Sequence, residues 1–175
     1  MTAVGDGVDG TAQAMKIDEF VAVFRHHAAG VAVVTAAGPD GPVAMTVTSL
    51  FSVSAEPPMF AFSASSLSSA SPPILAADTV VAHILHGDNL PIGRLGAASA
   101  TDRFSVPWRE LPTGEPVYDG VTSWVRGEIV SLVEAGQSTL VIARALEGRV
   151  EGDDRTPLVY HAREWHTLGR HSLIA

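Results

Sequence analysis

Hydroxyl groups are the most concentrated chemistry in this chain, and they gather in two neighbouring stretches. The first is VAMTVTSLFSVSAEPP, residues 43–58, and the second is SASSLSSASPP, residues 63–73. Read as a strand, the first places Met45, Val47, Ser49, Phe51 and Val53 on one face and Thr46, Thr48, Leu50, Ser52 and Ser54 on the other. One face reads as core and the other as hydroxyl. In the second, Ser71 before Pro72 and Pro73 is a helix-start signature, because a serine cap accepts from first-turn amides and proline loses no needed donor. Hydroxyls, loop amides and a helix start together make an uncharged cradle for a phosphate. Composition by itself describes a flexible linker and a solvent-facing sheet side just as well. The closeness of the two stretches suits a ligand with a polar planar head and a phosphate tail.

Other chemistry is thinly represented. The chain has no cysteine, so neither disulfides nor thiolate chemistry arise. His83 and His86 fall on opposite faces of a strand, and His161, His166 and His171 match no metal-site spacing, so no metal site is expected. His26 and His27 suit a helix C-terminus. No glycine-rich phosphate loop and no serine nucleophile elbow occurs, and no catalytic residue is assigned. Trp108, Trp124, Trp165, Phe104 and Tyr160 are aromatic bodies for core, interface or ligand stacking, and Arg103 could meet an anionic ligand.

The elements that must position these groups are mostly strands. Asp18 is placed to cap a short helix carrying Phe20, Val23 and Phe24 on one face. VAVVTAA, residues 31–37, and the hydroxyl stretch flank the turn GPDG and form a hairpin. MFAFSA and TVVAHIL read as strands, LPIGRLGAA as a helix and residues 99–116 as an ordered loop. Two long alternating segments meet at a turn around Gly136, and PLVYHAREWHTL closes the chain as a strand. Six or seven strands joined mainly by hairpins predict a mainly β fold, a barrel with a few short peripheral helices.

The 175 residues suit one domain over 17–175 after a disordered tail over 1–16 that lacks the marks of a signal peptide. A net charge of -8 argues against nucleic acid and anionic membranes, and no apolar run approaches a bilayer span, so a cytoplasmic protein is expected. With 46% apolar and only 17% charged residues, some surface should be covered in an oligomer.

From about Phe24 to Leu168 the order of motifs resembles the flavin reductase-like, FMN-binding split-barrel family, small reductase components of two-component flavin-dependent monooxygenases. The resemblance is carried by AAGVAVVTA, MTVTSLFSVSAEPP, MFAFSASSLSSAS, TDRF and PLVYHAREWHTL together. It implies a split β-barrel homodimer that binds FMN or FAD, takes hydride from NADH or NADPH to flavin N5, and supplies reduced flavin to a partner monooxygenase. Thr46, Val47, Thr48 and Ser49 would meet the flavin ring, and Ser63, Ala64, Ser65, Ser68 and Ser69 the ribityl phosphate. Three positions and one motif depart from the family pattern: Ala44 for glycine, Leu50 for phenylalanine, His83 for asparagine, and Gly136-Gln137-Ser138 for the Gly-Asp-His associated with nicotinamide binding. With that last motif altered, either Tyr160 or Arg103 orients the nicotinamide, or the protein carries flavin without efficient turnover.

Overall fold

A computed structural model describes residues 14–99, 101–152 and 156–174. The expected tail over 1–16 falls almost wholly outside them. In chain order the elements are α1 (Ile17–Arg25), β1 (Ala29–Gly30), β2 (Ala32–Gly38), β3 (Gly41–Val47), β4 (Phe51–Ala55), β5 (Pro58–Ser65), α2 (Ser71–Leu75), β6 (Thr79–Ile84) and α3 (Leu90–Ala97). Then follow β7 (Trp108–Glu110), β8 (Pro116–Tyr118), β9 (Ser123–Ala135), β10 (Ser138–Val150), β11 (Leu158–His161) and β12 (Glu164–Thr167). The fold is mainly β with a few short helices, as expected.

Seven strands form one antiparallel sheet in the order β3-β2-β6-β9-β10-β5-β4. The sheet curls until β3 approaches β5, although the two do not share a ladder. Between them Ser49, just past β3, bridges the gap: its Oγ accepts from the Ser63 amide at 2.9 Å. A side chain stitches the sheet where backbone pairing stops, which is the physical content of a split barrel. Both faces of β2 are buried, so its residues read as a continuous apolar run rather than an alternation. Val34 joins Phe62, Val80, Ile74 and Val141 in one core cluster. Val33 on the opposite face joins Leu85, Tyr118 and Leu158 in a second.

Helix α3 lies against β3, and its glycines explain the approach. A Cβ on Gly96 would stand 2.5 Å from Thr46 Oγ1, so only glycine lets helix and strand meet this closely. The hairpin turn Pro39-Asp40 and the β9–β10 turn at Gly136-Gln137 both fall where the sequence places them.

Several expectations are corrected. The stretch 43–58 is not one strand: β3 ends at Val47, the chain bends, and β4 restarts at Phe51 on the far edge of the sheet. The period-two register is lost across that bend, so Phe51 and Val53 are exposed instead of buried with Met45 and Val47. Ser71 does not cap α2; Ala70 does, and the buried Ser71 Oγ turns back to donate to the Ser65 carbonyl at 2.5 Å. Lys16, not Asp18, is the N-cap of α1, with Asp18 in the first turn. The segment 99–116 includes β7, which pairs with β8, and PLVYHAREWHTL is the hairpin β11–β12 rather than one strand. Ala162 and Arg163 make its two-residue turn at φ 51° and 68°, a left-handed pair that no Asn-Gly or Asp-Gly announces.

Candidate functional site

A cavity of about 840 Å³ opens where β3, β5, α3 and the loop after β5 converge. Thr46, Val47, Thr48 and Ser49 line it from β3 and the bend beyond, and Ser63, Ser65, Ser68 and Ser69 from β5 and the serine loop. Eight of the nine positions singled out in sequence therefore face one space. The ninth, Ala64, is buried in the barrel core, so its methyl group cannot reach this cavity. Alternation along β5 is the reason: Ser63 and Ser65 point one way and Ala64 the other.

The hydroxyls divide into two kinds. Thr46 Oγ1 donates to the Gly93 carbonyl at 2.7 Å, and Ser49 Oγ is held by the Ser63 amide, so both serve the scaffold. Ser65 and Ser68 accept from the amides of Leu67 and Ala70 at 3.3 Å, leaving their hydroxyl protons to be donated. Thr48, Ser63 and Ser69 hydroxyls have no protein partner among the described residues. The loop amides are similarly used up: Ser66 N–H donates to Gln137, Ser68 N–H to Ser65 and Ser71 N–H to Ser68. With Leu67 and Ala70 bonded as above, Ser69 is left with both its amide and its hydroxyl unengaged on the cavity wall. An unsatisfied donor pair facing solvent is where an acceptor ligand gains most.

Arg103, reached from the TDRF segment, is the cavity's single charged lining residue. Its Nε and Nη2 donate to the Ala98 carbonyl at 3.2 and 2.9 Å, and its Nη1 to the Ala44 carbonyl at 2.7 Å. Three hydrogen bonds to two carbonyls fix the guanidinium while two of its five N–H groups remain. Tyr118 completes the support by donating its hydroxyl to the Arg103 carbonyl at 2.6 Å. Burial pushes that phenol's pKa well above its ordinary value, so it stays a donor. The sequence marked Arg103 as a candidate but gave no sign of Gly96, Ala97 or Ser99, which complete the wall from α3 and beyond.

The cavity has two distinct ends. Ser69 and Arg103 also line a side cavity of about 310 Å³ toward Pro42 and Asp102. Thr48 and Ser49 also line a separate cavity of about 540 Å³ beneath α1, where Tyr160 lies. The altered Gly136-Gln137-Ser138 turn sits beside the serine loop, with Gln137 O accepting from Ser66 N at 2.9 Å and Ser138 paired with Ser65. Cross-strand partners share a face, so Ser138 stands on the cavity side of the sheet.

This arrangement fits a flavin nucleotide by its donor set: neutral hydroxyl donors along one wall, and an amide, a hydroxyl and a fixed guanidinium at one end. Known proteins point the same way. The family model for the flavin reductase like domain matches residues 24–169. An NADH:FMN oxidoreductase of Rhodococcus qingshengii is 38% identical over 153 residues, covering 85% of this chain and 80% of that protein. The reductase component of 4-hydroxyphenylacetate 3-monooxygenase from Salmonella typhimurium is 27% identical over 163 residues, 88% of this chain and 95% of that one. The crystal structure of a flavin reductase domain protein from Arthrobacter sp. FB24 superposes with a TM-score of 0.81 at 33% identity, covering 86% of this chain and 94% of that one. On a family match that spans nearly the whole fold, this chain belongs to the flavin reductase-like domain family.

Proposed function

We propose that the protein is an NAD(P)H-dependent flavin reductase that delivers reduced FMN or FAD to a partner monooxygenase. The observation that carries this reading is the 840 Å³ cavity with hydroxyls along one wall and the Ser69-Arg103 donor cluster at one end. Thr46, Val47, Thr48 and Ser49 line the ring, while Ser63, Ser65, Ser68 and Ser69 serve the ribityl phosphate, with Ala64 offering main-chain atoms only. A bound flavin would supply the chemistry, taking up a hydride from the dihydronicotinamide co-substrate so that the nicotinamide is oxidised and the flavin reduced. The protein's part is to align and to screen. Hydroxyl donors and Arg103 hold the ligand in place, and no side chain is required as acid or base.

Monooxygenase partnership is supported by the Salmonella relative, a reductase component of such a system. A homodimer accounts for the apolar residues left exposed on the long β9–β10 hairpin, among them Val130, Leu132, Val133 and Leu146. Among the described residues no helix is long and apolar enough to cross a membrane. With no cysteine to oxidise, a single flavin-binding unit from residue 17 onward suits the cytoplasm.

The test is direct. Purified protein mixed with NADH or NADPH and excess FMN or FAD should consume the nicotinamide absorbance well above the flavin-only control. Flavin binding with no turnover above that control would leave a flavin carrier in place of a reductase. A protein that ignores FMN and FAD in equilibrium dialysis would overturn both.

A further inference from the structure

Tyr118 is fully buried in an apolar cluster with Val31, Val33, Leu85 and Val121. A phenylalanine would fill that space as well, so packing accounts for the ring but not for its hydroxyl. Among the described residues that oxygen has one partner, the Arg103 main-chain carbonyl at 2.6 Å. Tyr118 itself lines neither the candidate flavin cavity nor its side cavity, whereas Arg103 lines both. Whatever the hydroxyl does for the site, it does through Arg103.

The Arg103 main chain has little else to hold it. Residues 101–106 belong to no helix or strand, and their own bonds are local: Ser105 N–H donates to the Asp102 carbonyl at 3.3 Å and Phe104 N–H to Asp102 Oδ1 at 2.9 Å. Among the described residues, the Tyr118 hydroxyl is the one hydrogen bond that ties the main chain of 101–106 to a strand. Stacking reinforces it, with the Phe104 ring 12° from parallel to that of Tyr118 and 5.2 Å away. Tyr118 is in turn fixed from the core. Its amide donates to His83 Nε2 at 3.3 Å, the His83 ring meets it edge-on at 5.5 Å, and His83 Nδ1 donates to the Val33 carbonyl at 3.0 Å. A chain of contacts therefore runs from β2 through His83 and Tyr118 to the root of the Arg103 side chain. At its head, the bonds to Ala44 and Ala98 leave one N–H on each terminal nitrogen. Such a fork matches two phosphate oxygens only when its supports hold it to within about half an ångström.

We propose that Tyr118 is a positioning residue, whose hydroxyl holds the Arg103 main chain so that the guanidinium is presented to the phosphate of a bound flavin. The assignment rests on the flavin-binding reading, and it divides one side chain into two roles. The ring serves the core, and the hydroxyl serves the phosphate end of the site. A flavin without a phosphate gains nothing from it.

Tyr118→Phe tests this directly, since it removes one oxygen and keeps the ring. In fluorescence titration the Kd for FMN should rise about fivefold, the loss of one hydrogen bond, while the Kd for riboflavin shifts less than about twofold. Arg103→Gln weakens FMN by itself, and adding Tyr118→Phe to it should bring no further loss, because the hydroxyl acts through that guanidinium. Val121→Ala, in the same apolar cluster, should lower the midpoint of urea unfolding and leave the ratio of the two Kd values unchanged. Equal losses of FMN and riboflavin in Tyr118→Phe, an unchanged FMN affinity, or additive losses in the double variant would overturn the assignment. So would a ratio that Val121→Ala moves as far as Tyr118→Phe does. If the wild type binds neither flavin, the reductase reading fails and the flavin-free protein decides this one. Exchange of the Arg103 Nε–H with water, followed by 15N NMR, should then be about fivefold faster in Tyr118→Phe, the opening that one lost hydrogen bond permits. An unchanged exchange rate would overturn the positioning role.

Discussion

Glu115 and Ser69 mark opposite ways in which this chain treats a polar side chain. Glu115 is only 2% exposed, yet both carboxylate oxygens are engaged: the Thr79 and Thr113 hydroxyls donate to it, and Arg126 Nε does so at 2.7 Å. Burial alone would raise its pKa, and these hydrogen bonds outweigh it, holding the carboxyl below its ordinary value. His83 follows the same rule at full burial. Its Nδ1 donates to the Val33 carbonyl at 3.0 Å and its Nε2 accepts from the Tyr118 amide at 3.3 Å, so it sits neutral with both nitrogens used. Ser69, by contrast, keeps an amide and a hydroxyl facing an open cavity beside a guanidinium with donors to spare. Glu115 and His83, completed by the protein, belong to the frame, whereas Ser69, left incomplete, faces the candidate cavity.

If that division holds, breaking the frame costs stability, and the largest effect is expected at Glu115. Glu115→Ala strands the mostly buried Arg126 and two hydroxyls, which should lower stability by about 3–5 kcal/mol. Urea unfolding measures it. A loss under about 1 kcal/mol would show that the node is filled by solvent and is not structural.

His83 offers the next effect, read through pH. Burial pushes its pKa down to about 4 from an ordinary 6.5. As pH falls below 6.5 the unfolded chain takes up a proton that the native state refuses until about pH 4. Stability present at neutral pH is therefore lost across that window, by roughly 3 kcal/mol at most. Unfolding curves at pH 7 and pH 4.5 for wild type and His83→Asn isolate the histidine from the carboxylates. Parallel losses in the two proteins would remove His83 from the account.

Local pattern carried most of the fold and half of the site. The β2–β3 and β9–β10 hairpins were legible because Pro-Asp-Gly and Gly-Gln turns interrupt apolar runs at the right spacing. The β11–β12 hairpin was not, because Ala162-Arg163 carries no turn signature and tertiary packing imposes its conformation. Strand alternation failed at Phe51 and Val53 because the three-residue bend after Val47 resets the register, which no single-strand pattern encodes. Within the site the serine loop stood out by composition. The roles of Thr46 and Ser49 did not, since their partners Gly93 and Ser63 lie 47 and 14 residues away.

The other side of the comparison is tested by removing what the protein left incomplete. Ser69→Ala deletes a hydroxyl that no described residue uses, so it should leave folding unaltered and touch only what the loop binds. If that is the FMN phosphate, affinity for FMN falls by about 1.5–3 kcal/mol while riboflavin, which has no phosphate, binds as before. Arg103→Gln should show the same discrimination, with an added loss of stability because Ala44 and Ala98 carbonyls lose their donors. Thr46→Val is the contrasting case: its hydroxyl is committed to Gly93, so any change in affinity should fall equally on FMN and riboflavin. Fluorescence titration of both flavins against the three variants gives the answer. Equal losses of both ligands in Ser69→Ala would move the phosphate away from this loop, and discrimination in Thr46→Val would erase the distinction between frame and ligand hydroxyls.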